Sequence, residues 1–77
     1  MTYTPLPSPS FVDDLEYLGA PQGRKRWRSA DAKRYFEYDG RHVELEVYNN
    51  RGRHLGAANA VTGVIYKDPN KTRRIDV

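Results

Sequence analysis

Four side chains that could do chemistry recur at every second position of "RHVELEVY", residues 41–48: His42, Glu44, Glu46 and Tyr48. They are a titratable base, two carboxylates and a phenol. The intervening Val43, Leu45 and Val47 are apolar. A period of two belongs to a strand with one buried face, so the spacing predicts a strand over 41–48 with the polar four on its other side. At about 3.3 Å per residue, His42 and Glu46 stand roughly 13 Å apart at Cα, within reach of one substituent lying between their side chains. Asp39, just before Gly40, is placed near His42 across a turn.

Such a row suits the cleavage of RNA without a metal. That reaction needs a base for the 2′-hydroxyl proton, an acid for the leaving 5′-oxygen, and positive charge beside the phosphate. A glutamate can be the base if a neighbouring carboxylate raises its pKa, and a histidine titrates near neutrality. The cation can come from "NKTRRI", which supplies Lys71, Arg73 and Arg74. The competing reading is an ordinary solvated strand face with cross-strand ion pairs. His54, in "GRHLG" at a hairpin end, reads as structural. Zinc would want a Cys/His spacing that is missing, so neither a metal nor another cofactor is expected.

A second constellation is "GRKRWRS", residues 23–29. Arg24, Lys25, Arg26 and Arg28 can neutralise phosphates while Trp27 stacks, or the stretch is a basic edge strand with Trp27 in the core. All 13 Lys and Arg lie in residues 24–77, whereas residues 1–23 hold Asp13, Asp14 and Glu16 and no base. A basic core with an acidic arm points to a polyanionic target.

The elements that must position these residues are short. Seventy-seven residues with no cysteine allow one small domain without disulfides. No apolar run approaches the ~20 residues of a membrane span, and no signal-peptide pattern is present. Residues 1–10, "MTYTPLPSPS", read as an extended leader. Ser10 is expected to cap a short helix reaching about Leu18, with Gly19–Gly23 as a hinge. That arm is either an accessory packed on the core or a linker to a larger protein. From there "KRYFEYD", "RHVELEVYN", "RHLGAAN", "GVIYKD" and "KTRRIDV" alternate with turn chemistry. The expected fold is mainly β: a twisted antiparallel sheet of about five strands over 24–77, with a short N-terminal helix in the arm 1–23.

The ordered motifs from Arg24 onward resemble the C-terminal cytotoxic domain of the ribosomal-RNA-cleaving colicins of the E group. These are the K-R-W stretch, the aromatic-acid-aromatic-Asp strand, His-x-Glu-Leu-Glu-x-Tyr, Gly-x-His-Leu-Gly, a Thr-Gly turn and Asp-Pro before a basic end. The resemblance implies an endoribonuclease making a single cut in 16S rRNA at the decoding centre, with a 2′,3′-cyclic phosphate product. It puts the family's aspartate on Asp39, its histidine on His42, its catalytic glutamate on Glu46 and an accessory acid on Glu44, with Tyr48 beside them. The last-strand arginine falls on Arg73 by the Arg-x-Ile pattern and on Lys71 by the Asp-Pro turn; Arg73 offers bidentate phosphate binding. The acid and base roles of His42 and Glu46 are open to exchange.

The resemblance also implies partners: rRNA in the small ribosomal subunit and a cognate acidic immunity protein. It implies delivery by a larger secreted or cell-surface toxin, of the colicin or the contact-dependent inhibition kind, and action in the cytoplasm of a target bacterium. The alternative reading is a non-catalytic RNA- or DNA-binding module using the same basic stretch.

Overall fold

A computed structural model describes residues 2–77; Met1, the first residue of the leader, lies outside them. Six strands form one antiparallel sheet in chain order: β1 (Glu16–Tyr17), β2 (Arg26–Arg28), β3 (Arg34–Asp39), β4 (Glu44–Asn49), β5 (His54–Asn59) and β6 (Ile65–Lys67). The mainly-β expectation holds. Short connections leave each strand no neighbour but the one before it, and the meander follows.

One face of the sheet is apolar. Leu45 and Val47 of β4 sit opposite Tyr38 and Phe36 of β3, and Ala58 sits opposite Leu45. With Trp27, Val12 and Ala60 these form the core. The lid on that face is the N-terminal arm. Phe11 packs edge-on against Phe36 at 5.5 Å, and its amide donates to the Ala60 carbonyl.

The arm differs from the expected helix. Ser10 does start a turn, with its amide and hydroxyl both donating to the Asp13 carboxylate, but only a 3-10 turn, Phe11–Asp14, follows. The chain then extends into β1, where Tyr17 lies against Trp27. Pairing with the basic stretch, now strand β2, outweighs the helical spacing of Phe11, Leu15 and Leu18.

Residues 71–77 also depart from expectation. They form no strand beyond a bridge between Arg53 and Arg74. Instead the segment runs over the polar face of the sheet. The Asn70 amide donates to His54, Arg73 reaches Tyr48, and the Asp76 carbonyl accepts from Arg26.

Candidate active site

The strand predicted over 41–48 begins three residues late. Val43 has φ of 53°, in the left-handed region that a β-branched residue rarely adopts, and β4 starts at Glu44. Val43 is therefore exposed rather than core, and His42 belongs to the turn. The alternation holds from Glu44 to Tyr48.

Asp39 builds that turn and holds the imidazole. Its Oδ1 accepts the amides of Arg41 (3.0 Å) and His42 (3.4 Å), while Oδ2 meets His42 Nδ1 at 2.8 Å. Burial pushes the Asp39 carboxyl up, but these hydrogen bonds and the nearby Arg24 charge outweigh it and hold the group below the ordinary carboxylate range. The His42 side chain is 60% exposed at the rim, and its pairing with Asp39 uses Nδ1 and not Nε2.

Glu46 lies at the floor, 3% exposed. Its Oε1 is 2.7 Å from His54 Nε2 and 3.7 Å from Arg73 Nη1. The tautomer of His54 follows from its other contact. The Asn70 amide donates to Nδ1 at 2.8 Å, so Nδ1 is an acceptor, Nε2 carries the proton, and that proton is given to Glu46. Arg73 is fixed in turn by its Nε donating to the Tyr48 hydroxyl at 2.9 Å. Burial works against its charge, yet Tyr48 and Glu46 together raise its pKa. Burial likewise raises the Tyr48 phenol, against the pull of Arg73.

His54 reaches this face through a bulge. Glu46 pairs with Ala57 and Val47 with Gly56, but Tyr48 pairs with His54, leaving Leu55 unpaired. Strict alternation would have sent His54 to the core side with Gly56 and Ala58. The extra residue reverses its parity. Gly56, with φ of 136°, permits the kink, and a side chain there would meet the Lys67 carbonyl. A glycine inside a strand pattern is the sequence signal that could have found this.

Glu44 is clamped from β6. Tyr66 donates its hydroxyl to Oε1 at 2.5 Å and Lys67 Nζ stands at 2.8 Å. Burial raises this carboxyl; the Lys67 and Tyr66 hydrogen bonds outweigh it and bring the group below its ordinary range. Neither partner was singled out from sequence. Asp39, His42 and Glu44 bring ligand-type atoms within 4.8 Å of one another. Within that group Glu44 Oε1 already meets Tyr66 and Lys67, and Asp39 Oδ2 already meets His42 Nδ1.

The basic stretch divides. Arg26 is 5% exposed and turned inward, its Nε donating to Glu37 at 2.9 Å, Nη1 to the Asp76 carbonyl and Nη2 to Gln22. Since Glu37 lies opposite Glu46, Arg26 neutralises the carboxylate beside the site, and its donors are not turned to solvent. Arg28 pairs with Glu16 at 2.7 Å. Arg24 and Lys25 line a cleft beside Asp39. Lys71, exposed, lines a different cleft next to His54; the guanidinium at Glu46 is that of Arg73.

Comparison with known proteins places the chain in a family. A family model described as "Cytotoxic" matches residues 14–76. Colicin E3 from Escherichia coli is 40% identical over 53 residues, 68% of this chain and 10% of its own length. Cloacin from Escherichia coli is 40% identical over the same length, which is 9% of that protein. The chain thus spans about a tenth of the length of these curated relatives.

Proposed function

The chain belongs to the Cytotoxic family, and from that premise we propose that it is the toxin domain of a bacterial ribonuclease. It cuts 16S rRNA at the decoding centre without a metal. The observation that carries the reading is the Glu46 carboxylate, held at the floor between the N–H of His54 and the guanidinium of Arg73, with the Asp39–His42 pair at the rim.

Glu46 takes the proton of the ribose 2′-hydroxyl, and the freed oxygen attacks the adjacent phosphorus. The His54 N–H holds the carboxylate in its orientation. Arg73 offers N–H groups to the phosphorane oxygens as charge accumulates. The bond to the 5′-oxygen breaks, and that oxygen takes its proton from His42 Nε2, while Nδ1 stays on Asp39. The products are a 2′,3′-cyclic phosphate and a free 5′-hydroxyl. Dependence on the 2′-hydroxyl restricts the reaction to RNA.

The domain 24–77 carries this chemistry, with the arm 1–23 as its lid. Its basic surface suits an acidic immunity protein in the producing cell. Delivery belongs to a longer secreted or cell-surface protein that brings the domain to the cytoplasm of another bacterium.

The test adds the purified protein to ribosomes in EDTA and maps the ends. The expected result is one cut in 16S rRNA with a cyclic phosphate on its 5′ fragment. A 3′-hydroxyl at that end, or cleavage of a substrate lacking the 2′-hydroxyl, would contradict the mechanism.

A further inference from the structure

Beside the rim lies a cleft of about 360 Å³ lined by Arg24, Lys25, Arg41, Tyr38, Tyr3 and the Asp39–Gly40 backbone. Three cations and two tyrosines meet there, and one wall is the turn that carries His42. The arm supplies the outer wall. The Thr4 amide donates to the Gly40 carbonyl at 2.9 Å. The Tyr38 hydroxyl donates to the Thr4 carbonyl at 2.6 Å, and Tyr3 stands edge-on to Tyr38 with 61% of its surface exposed. Arg24 contributes a second, independent observation. Its Nη1 is out of contact with solvent, yet it hydrogen-bonds to no group among the described residues. A buried guanidinium N–H without an acceptor is disfavoured, and a turn of the Arg24 side chain toward a phosphate in the cleft it lines would give that donor a partner.

We propose that this cleft is a nucleotide subsite, in which Arg24 and Lys25 hold an RNA phosphate and Tyr3 stacks on the base. Resting on the ribonuclease reading, its place on the strand follows. Glu46 and Arg73 stand at the end of the site where the 2′-oxygen attacks. The cleft lies past His42, at the leaving-group end. It therefore takes the phosphodiester on the 3′ side of the cut. The leader segment is then part of the binding surface, because Tyr3 comes from it.

Once the cut is mapped, two oligoribonucleotides of that sequence are made with 2′-deoxyribose at the attacking position. One ends at the leaving nucleoside and the other continues by about two nucleotides. Anisotropy titrations with the full chain are expected to show about tenfold tighter binding of the longer one, the worth of a charge-assisted phosphate contact. In Arg24→Gln that gain falls below about twofold, and the salt slope of log K flattens by about 0.7. Tyr3→Ala, on an exposed side chain, loses part of the gain with the slope unchanged. Lys33→Gln, which removes a charge outside the cleft, keeps the gain.

If Arg24→Gln and Tyr3→Ala both retain the full gain, the subsite is refuted and Arg24 serves only to keep Asp39 charged. Cleavage of ribosomes by a wild-type protein that shows no gain refutes the subsite alone. Failure of the wild type to cleave at all refutes the ribonuclease reading, and the assignment to the 3′ side with it.

Discussion

At the scale of single residues, the site is a set of hydrogen bonds that leave each group one task. His54 is a positioning residue: it gives its one proton to Glu46 and receives one from the Asn70 amide. His54→Ala is expected to lower kcat by at least about tenfold with a smaller change in KM. His54→Gln, whose amide N–H can still reach Glu46, is expected to recover much of that loss. Equal loss in both variants would show that the imidazole matters in some other way.

Asp39 gives a pH prediction with a definite sign. Its folded pKa is lowered, so its ionised form stabilises the fold fully above the unfolded value of about 3.9. That contribution is lost as pH falls through the lower, folded value. Asp39→Asn should therefore be less stable than wild type at pH 7, with the gap closing in the acid range. Urea midpoints at neutral and acid pH read this directly, and a gap that widens in acid would reverse the assignment.

At the scale of elements, two backbone features decide which side chains meet. Alternation alone showed that Glu44, Glu46 and Tyr48 share a face, because Leu45 and Val47 anchor the register against Phe36 and Tyr38. It extended the strand too far toward His42, since a left-handed valine leaves no trace in a hydrophobicity pattern. The reading of His54 as structural rests on its place at a hairpin end, and a parity count carried along β5 would miss the bulge that turns it toward Glu46. The helix expected after Ser10 and the strand expected at 71–77 failed for a common reason. Both segments take their shape from the sheet they cover, which local spacing does not encode.

The bulge carries its own prediction. Gly56→Ala places a side chain at φ of 136° and against the Lys67 carbonyl, so stability should fall by about 1–3 kcal/mol. Activity should fall further than stability explains, as His54 leaves Glu46. The check is cleavage measured where circular dichroism shows the variant still folded. A fully folded, fully active variant would mean that the kink does not set the position of His54.

At the scale of the whole molecule, the two ends of the chain lie on opposite faces of one thin sheet. The arm closes the apolar face through Val12 and Phe11. The C-terminal segment closes the polar face through Asn70, Arg73 and Asp76. That segment supplies partners to three buried groups, His54 Nδ1, the Tyr48 hydroxyl and Arg26 Nη1. At about 1–3 kcal/mol each, leaving them unpaired would cost a large share of the 5–15 kcal/mol typical of a domain. The same residues that complete the fold thus complete the site, which is how 77 residues without a disulfide can hold a buried carboxylate beside a guanidinium.

The central claim is that this carboxylate, and no metal, starts the cleavage. Its most direct test is single-turnover cutting of 16S rRNA in intact ribosomes with EDTA present, comparing wild type with Glu46→Gln. The account predicts that wild type cuts at its full rate and that Glu46→Gln is slower by about 10²–10⁴-fold, the usual worth of a general base. Intact 16S rRNA with the wild-type protein, or equal rates for the two proteins, would contradict it.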